Sequence, residues 1–178
     1  MKNFYKGLCF ILPLCFSVAC FAHEDSYYVN GPTIQGPFKI DMVQGGEVSV
    51  LSTDDREYPV SLVLDITDGT GKKTRKLVDK YDVAGSPPKI DTVFFYPVRG
   101  VRNVIVLVSW ELTSRGLGTY GDYYQVYAYE PGGGGLVPNN KIRFDKHMTG
   151  IEGYQEGSPQ SFLYKNAAAI KSYLKTLN

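Results

Sequence analysis

The chain has 178 residues, of which 43% are hydrophobic and 21% are charged, with 19 Lys and Arg against 18 Asp and Glu. A chain of this length suits one domain that is stabilised by a hydrophobic core of its own. The near-neutral charge gives no basis for expecting a nucleic acid or an anionic membrane as a partner.

The first 22 residues have the pattern of a secretory signal peptide. Lys2 and Lys6 precede Leu8–Phe21, which is apolar apart from one serine, and Ala22 comes directly before a polar stretch. A basic start, a short apolar core and a small residue at the break are typical of a cleaved signal. About 14 apolar residues fall short of the roughly 20 that a membrane-spanning helix needs. We therefore expect a periplasmic or secreted protein with one mature domain, residues 23–178.

The position of the cut decides the chemistry of the mature protein. All three cysteines lie in the predicted signal, so cleavage after Ala22 leaves a domain without disulfides or thiolate metal ligands. It also removes two lysines, which leaves 17 Lys and Arg against 18 Asp and Glu, a net charge of −1. The alternative is lipidation, because Ser17–Cys20 resembles a bacterial lipobox and processing before Cys20 would anchor the protein to a membrane. A lipobox prefers an aliphatic residue at the place of Ser17, so cleavage after Ala22 is the preferred prediction.

After an irregular lead-in, apolar residues alternate with a period of two, which is typical of half-buried β-strands. The pattern is clearest in Val60–Thr67, and Asp68–Gly71 then predicts a tight turn with Lys73–Tyr81 as the returning strand. Val101–Leu112 carries apolar residues on both faces and predicts a central strand that is covered on both sides. Asp122–Glu130 predicts the next strand.

The end of the chain changes to a helical period. Ser158 and Pro159 suit a helix start, because serine caps helices and proline is favoured at the first helical position. One apolar stripe follows at spacings of three and four: Leu163, Ala167, Ile170, Leu174 and Leu177. We predict a helix over 159–177, a short strand over Lys141–Asp145, and a mainly β (α+β) fold in which one C-terminal helix packs on an antiparallel sheet or sandwich.

Gly116–Gly121 matches the G-x-G-x-x-G pattern of dinucleotide-binding proteins. That motif needs a strand before it and a helix after it, so that amides at the helix end meet a pyrophosphate. Here a strand is predicted on both sides, so the segment is interpreted as a hairpin loop. A flexible loop between two strong strands is also a suitable place for a contact surface.

Five residues in this loop and on either side of it are the candidate partner-binding residues: Arg115, Tyr120, Asp122, Tyr123 and Tyr127. Tyr123 and Tyr127 share a predicted strand face with Gln125 and Tyr129, and tyrosines offer large, stiff contact area to a protein or a sugar. The alternative interpretation is that tyrosine favours strands and that this face packs under a helix or a loop.

His23 supports an enzymatic alternative. Cleavage after Ala22 would make it the first residue of the mature chain, where its amine and imidazole together can chelate Cu(II). Copper-dependent polysaccharide monooxygenases are built in this way with a second histidine, and His147 is the only other histidine in the chain. We predict no cofactor, with copper at His23 and His147 as the alternative.

Other catalytic patterns are not found in the sequence. No G-x-S-x-G nucleophile turn is present, and the turn around Asp65 and Asp68 lacks the ligand count of a calcium loop. Glu111 and Asp122 are expected to face each other at the base of the predicted hairpin. A carboxylate pair inferred from a predicted hairpin is weak evidence for a glycosidase. The basic residues within Lys72–Lys80 favour a protected edge strand.

The segment Phe162–Leu174 closes a small, exported and otherwise β-rich domain. This layout resembles the small periplasmic immunity and inhibitor proteins of Gram-negative bacteria. The resemblance covers the organisation of the whole chain, and no functional residue is carried over from it. It implies a non-enzymatic protein that binds and occludes a toxin or a cell-wall hydrolase. A carbohydrate- or peptidoglycan-binding module that uses the tyrosine row is the remaining alternative.

Overall fold

The structure is a computed structural model that describes residues 29–178. The predicted signal, Cys20 and His23 lie outside the described residues. Within them the chain forms two antiparallel sheets and a C-terminal helix, which confirms the predicted mainly β fold.

Four strands form sheet A in chain order: β1 (Thr33–Lys39), β2 (Gly46–Ser52), β3 (Val60–Thr67) and β4 (Lys73–Tyr81). Sheet B consists of β5 (Lys89–Val98), β6 (Val101–Ser114), β7 (Thr119–Gly132), β8 (Gly135–Pro138), β9 (Thr149–Gln155) and β10 (Ser158–Gln160). The order across sheet B is β10–β9–β7–β6–β5, and β8 pairs with the last part of β7. The predicted β3–β4 hairpin is confirmed with its boundaries.

A first apolar core lies between the two sheets. Alternate residues of β2 and β3 face alternate residues of β6 and β7, including Val48, Leu62, Val106, Trp110 and Tyr129. Period-two alternation places these side chains on one face of each strand, so burying that face joins the sheets into a sandwich.

A second core lies on the opposite face of sheet B, which we call its outer face. Ile105 and Leu107 of β6 pack there against Ile170 and Leu174 of the C-terminal helix α2 (Ala167–Lys175). β6 is therefore buried on both faces, as its sequence predicts.

The start of the C-terminal helix differs from the prediction. Ser158–Gln160 pairs with β9 as strand β10, and α2 begins at Ala167, where Asn166 Oδ1 accepts a hydrogen bond of 2.9 Å from the amide of Ala169. The cause is the two-residue turn Glu156–Gly157, whose positive φ values of 51° and 78° fold the chain back onto β9. The predicted helix start at Ser158 and Pro159 is therefore wrong.

Two further sequence predictions need correction. Leu163 lies before the helix and is 71% exposed, so it does not belong to the packed stripe. Lys141–Asp145 is not a strand, since the chain there forms the short helix α1 (Asn140–Arg143), which Asn139 caps by accepting from the amide of Lys141.

Truncating the buried part of the stripe tests this arrangement. Leu174→Ala should lower the free energy of unfolding by about 2–5 kcal/mol, because it opens a cavity under α2. The matched variant Leu163→Ala should change it by less than about 0.5 kcal/mol. Urea unfolding of the two variants measures the difference, and equal losses would contradict the position of the helix.

Candidate functional site

β6 and β7 continue beyond the part of sheet B that lies in the sandwich. β5 accompanies β6 only as far as Ser109, whereas the β6–β7 ladder continues to Ser114 and Thr119. The connection is a tight turn over Arg115–Leu117 that ends at Gly118 with φ 68°. The predicted hairpin loop is thus present, and a strand rather than a helix follows it.

A second hairpin ends beside the first. The turn between β9 and β10 lies against the β6–β7 loop, where the amide of Gly157 donates to the carbonyl of Gly118 over 3.0 Å. The amide of Glu156 donates to Thr119 Oγ1 over 3.1 Å. We call these two adjacent turns, residues 115–118 and 156–157, the hairpin tips. The two bonds hold the tips together as one unit.

An aromatic stack on the outer face supports the tips. The ring centroids of Tyr120 and Tyr154 are 4.8 Å apart with an interplanar angle of 21°, and the two residues are partners in the β7–β9 ladder. The Arg115 guanidinium carbon lies 4.7 Å from the Tyr120 centroid. Such ring and cation contacts each contribute about 0.5–1 kcal/mol at exposed sites, so they hold Arg115 and Tyr120 in place.

Two glycines next to the stack bring β7 and β9 unusually close. Gly121 and Gly153 are ladder partners with φ values of 123° and 140°. A Cβ on Gly121 would lie 2.2 Å from the carbonyl oxygen of Glu152, and a Cβ on Gly153 would lie 2.3 Å from that of Tyr120. Only glycine satisfies both conditions, so this pair fixes the strand spacing at which the adjacent tyrosines stack.

The tips include a highly exposed apolar side chain. Leu117 lies in the β6–β7 turn and is 77% exposed, and Tyr154 also exposes part of its ring. Neither residue was among the sequence candidates. The sequence signal for Leu117 is a leucine in a glycine-rich turn, whereas nothing local indicates that Tyr154 contacts Tyr120.

The five sequence candidates separate onto two faces of β7. Tyr120 and Asp122 lie on the outer face near Arg115, as expected. Tyr127 is 9% exposed and packs between the sheets, 5.1 Å from the ring of Tyr81, and this burial raises the pKa of its hydroxyl. Tyr127 therefore belongs to the core and not to a contact surface.

Tyr123 lies on the same inner face as Tyr127. It is half-buried 5.6 Å from the ring of Trp110, and its hydroxyl accepts a hydrogen bond of 2.8 Å from Thr149 Oγ1. The tyrosine face of β7 is therefore packed inside the protein, as the alternative interpretation expects. Sheet A covers it, rather than a helix or a loop.

Glu111 and Asp122 are direct partners in the β6–β7 ladder, and both are exposed on the outer face. Two surface grooves share this pair: one of about 310 Å³ extends towards Tyr124, and one of about 260 Å³ extends towards Arg115. This pair of carboxylates therefore lies directly beside the stack of Tyr120 and Tyr154.

The other acidic candidates have structural roles. Arg75 donates two hydrogen bonds of 2.7 Å to the carboxylate of Asp65 and thereby holds the pKa of that carboxyl below its usual range. Asp68 Oδ1 accepts from the amides of Thr70 and Lys72 within the β3–β4 turn. The basic residues of Lys72–Lys80 lie on and beside β4, an edge strand of sheet A, as the sequence predicts.

His147 belongs to a small polar cluster at the C-terminal helix. Its Nδ1 lies 2.9 Å from Asp145 Oδ1, and the hydroxyl of Tyr173 donates to Asp145 Oδ2 over 2.6 Å. Burial opposes ionisation of Asp145, but the hydrogen bonds from Tyr173 and from the His147 amide outweigh it and lower the pKa. Burial and the bond to Asp145 raise the pKa of Tyr173 to about 12. The cluster ties α2 to the segment before β9.

Within residues 29–178, no group of three or more His, Cys, Asp or Glu side chains is arranged to hold a metal. None of the helices described there is long and apolar enough to span a membrane. Comparisons with protein-family models, with curated proteins and with solved structures find no match for this chain. The function is therefore inferred from geometry.

The glycine pair gives the first test of the site. Gly153→Ala should destabilise the protein by more than about 2 kcal/mol, because a Cβ cannot fit against the Tyr120 carbonyl at positive φ. Gly116→Ala in the tip meets open space and is the matched control. Thermal unfolding of both variants measures this, and a wild-type Tm for Gly153→Ala would contradict the close approach.

The Asp145 cluster predicts a pH-dependent contribution to stability. At neutral pH, Asp145→Asn should lower the free energy of unfolding by about 1–3 kcal/mol. The folded pKa of Asp145 is depressed, so its contribution is complete above the unfolded value of about 3.9 and is lost as pH falls through the folded value. Urea unfolding at a series of pH values should therefore show wild type and variant converging as the pH falls below the unfolded pKa. A difference that stays constant at every acidic pH at which the protein still folds would refute the prediction.

Proposed function

We propose that this protein is an exported, non-enzymatic binding protein whose hairpin tips contact another protein. Its role is that of an inhibitor or immunity protein that occludes a toxin or a cell-wall hydrolase. The observation that carries the proposal is Leu117, an exposed leucine at the end of two hairpins that are bonded to each other.

The tips have the properties of a preorganised binding element. The Arg115–Tyr120–Tyr154 stack and the Gly157–Gly118 bond fix the backbone beneath Leu117. A contact surface that is already ordered loses little conformational entropy on binding, which favours affinity. Arg and Tyr are also among the residues that contribute most to protein interfaces.

The shape of the tips favours occlusion as the mode of action. A hairpin turn with an exposed apolar side chain can enter a concave surface, and the substrate sites of enzymes are concave and mostly apolar. Filling such a site requires no chemistry from the inhibitor.

The stack favours a protein over a sugar as the ligand. Sugars bind to tyrosine through a free ring face, but Tyr120 lies between Arg115 and Tyr154. Tyr127 and Tyr129 are buried between the sheets and present no ring to solvent. The tyrosine row therefore gives little support to the carbohydrate-binding alternative.

Binding measurements with the purified partner test the proposal. The partner is first sought by affinity capture from periplasm and from competing bacteria, and its affinity for each variant is then measured by calorimetry. Leu117→Ala and the double variant Arg115→Ala/Tyr120→Ala should each weaken binding by about fivefold or more, since central interface residues contribute over about 1 kcal/mol each.

The matched control for Leu117 is Phe144→Ala, which removes another exposed apolar side chain, 79% accessible, outside the tips. It should leave the affinity unchanged, and Leu117→Ala should leave the Tm unchanged. Full affinity in both tip variants would overturn the placement of the interface.

A further inference from the structure

We infer that an extended segment of the partner adds to sheet B as a further strand, along the edge of β6 that β5 leaves open at Glu111–Ser114. This inference rests on the proposed function and adds how the partner is held beside the hairpin tips. It is drawn from the hydrogen-bonding groups of the β6 backbone and from the way the outermost strands of both sheets are protected.

The edge of β6 is open because β5 stops before β6 does. The β5–β6 ladder ends at Lys89 and Ser109, and Pro87 and Pro88 before β5 have no N–H to donate. β6 itself continues to Ser114. The last part of β6 therefore has β7 on one side and no strand of the described chain on the other.

The free backbone groups on this edge belong to Thr113, which is exposed. The amide of Glu111 donates to Ser86 Oγ over 2.8 Å, so it points towards the side of β5 and away from β7. Backbone groups of an antiparallel strand alternate between its two neighbours, so the N–H and C=O of Thr113 point to the same side. No hydrogen bond from a described loop or turn reaches them. Another extended chain supplies an acceptor and a donor at this spacing, so a strand is the ligand that fits the edge.

The outermost strands of both sheets are protected against such an addition, whereas this edge is not. Proteins protect sheet edges with proline, lysine or a bulge. β4 is rich in lysine, and β1, β5 and β10 contain Pro37, Pro97 and Pro159. Glu111–Ser114 contains neither residue type and pairs with β7 without a register shift. The contrast distinguishes the edge beside the tips as the place where a strand can add.

The size of protein interfaces also favours the addition. A specific interface takes about 20–30 residues from each partner, which the hairpin tips, residues 115–118 and 156–157, do not supply. The open edge lies directly before the tips, and a groove of about 260 Å³ beside it is lined in part by Thr113 and Tyr120. Side chains of an added strand alternate, so every second one can enter this groove. The partner then contacts one continuous surface of edge and tips.

Amide hydrogen exchange of the full mature protein, followed residue by residue by NMR, tests the inference. In the free protein, the Thr113 amide should exchange at least about tenfold faster than the Leu112 amide, which points towards β7. In the complex with the captured partner, exchange of the Thr113 amide should slow by about tenfold or more, because this amide donates to the added strand.

A proline variant tests the same hydrogen bond through affinity. Thr113→Pro removes an N–H that the fold itself does not use, so the Tm should stay close to that of wild type. It should weaken partner binding by about fivefold or more, because a carbonyl of the added strand loses its donor. Thr113→Val keeps the N–H and is the matched control, which should bind as wild type does. If Thr113→Pro unfolds, the exchange measurement on wild type decides the question.

The inference is overturned if the Thr113 amide is already as slow as that of Leu112 in the free protein, or if the partner does not slow it. It is also overturned if a folded Thr113→Pro binds as tightly as Thr113→Val, or if the edge pairs with a second copy of this chain. These outcomes leave the proposed function intact, since that depends on the loss of affinity in Leu117→Ala. Conversely, wild-type affinity in the Leu117 and Arg115/Tyr120 variants would refute the proposed function, whatever the exchange of Thr113 shows.

Discussion

The structure depends on the burial of β6 and the adjoining part of β7 on both faces. Val104–Trp110 has no exposed position, so sheet B needs a cover on each side. Sheet A covers the inner face and α2 covers the outer face with Ile170 and Leu174. Burial of this apolar area, at roughly 25 cal/mol per Å², is the main force that joins these elements. Beyond Trp110 both covers end, and the remaining part of the β6–β7 hairpin is free to carry a contact surface.

Buried polar groups fix how these covers dock. Tyr81 and Tyr129 share a hydrogen bond of 3.0 Å between the sheets, and Tyr129 donates to Asp79 over 2.8 Å. A buried hydroxyl without a partner is costly, so the sheets are held in the one register that satisfies all three groups. Tyr173 and Asp145 perform the same role for the C-terminal helix. Apolar burial thus stabilises the contact of sheet A and α2 with sheet B, and these hydrogen bonds fix how the three are aligned.

Local sequence patterns predicted the strands and failed where distant segments meet. The alternation of Val60–Thr67 and the two-sided pattern of β6 indicated the correct elements, because the apolar pattern within a strand shows which of its faces are buried. Ser158 satisfied the local rule for a helix start, yet pairing with β9 overrode it. Likewise, a row of tyrosines does not reveal which face a second sheet will cover. At the candidate site, Arg115 and Tyr120 were predictable from their loop, whereas Tyr154 reaches them only through the β7–β9 ladder.

The central claim is that the hairpin tips are the surface by which this protein meets its partner. Site-specific photo-crosslinking in the producing cell tests it most directly, with a benzophenone amino acid placed at Leu117 in one strain and at Phe144 in another. Both positions are apolar and highly exposed, so the two probes differ in location and not in accessibility. The account predicts one defined crosslinked protein from position 117 and none from position 144. A crosslink that forms from Phe144 and not from Leu117 would contradict it.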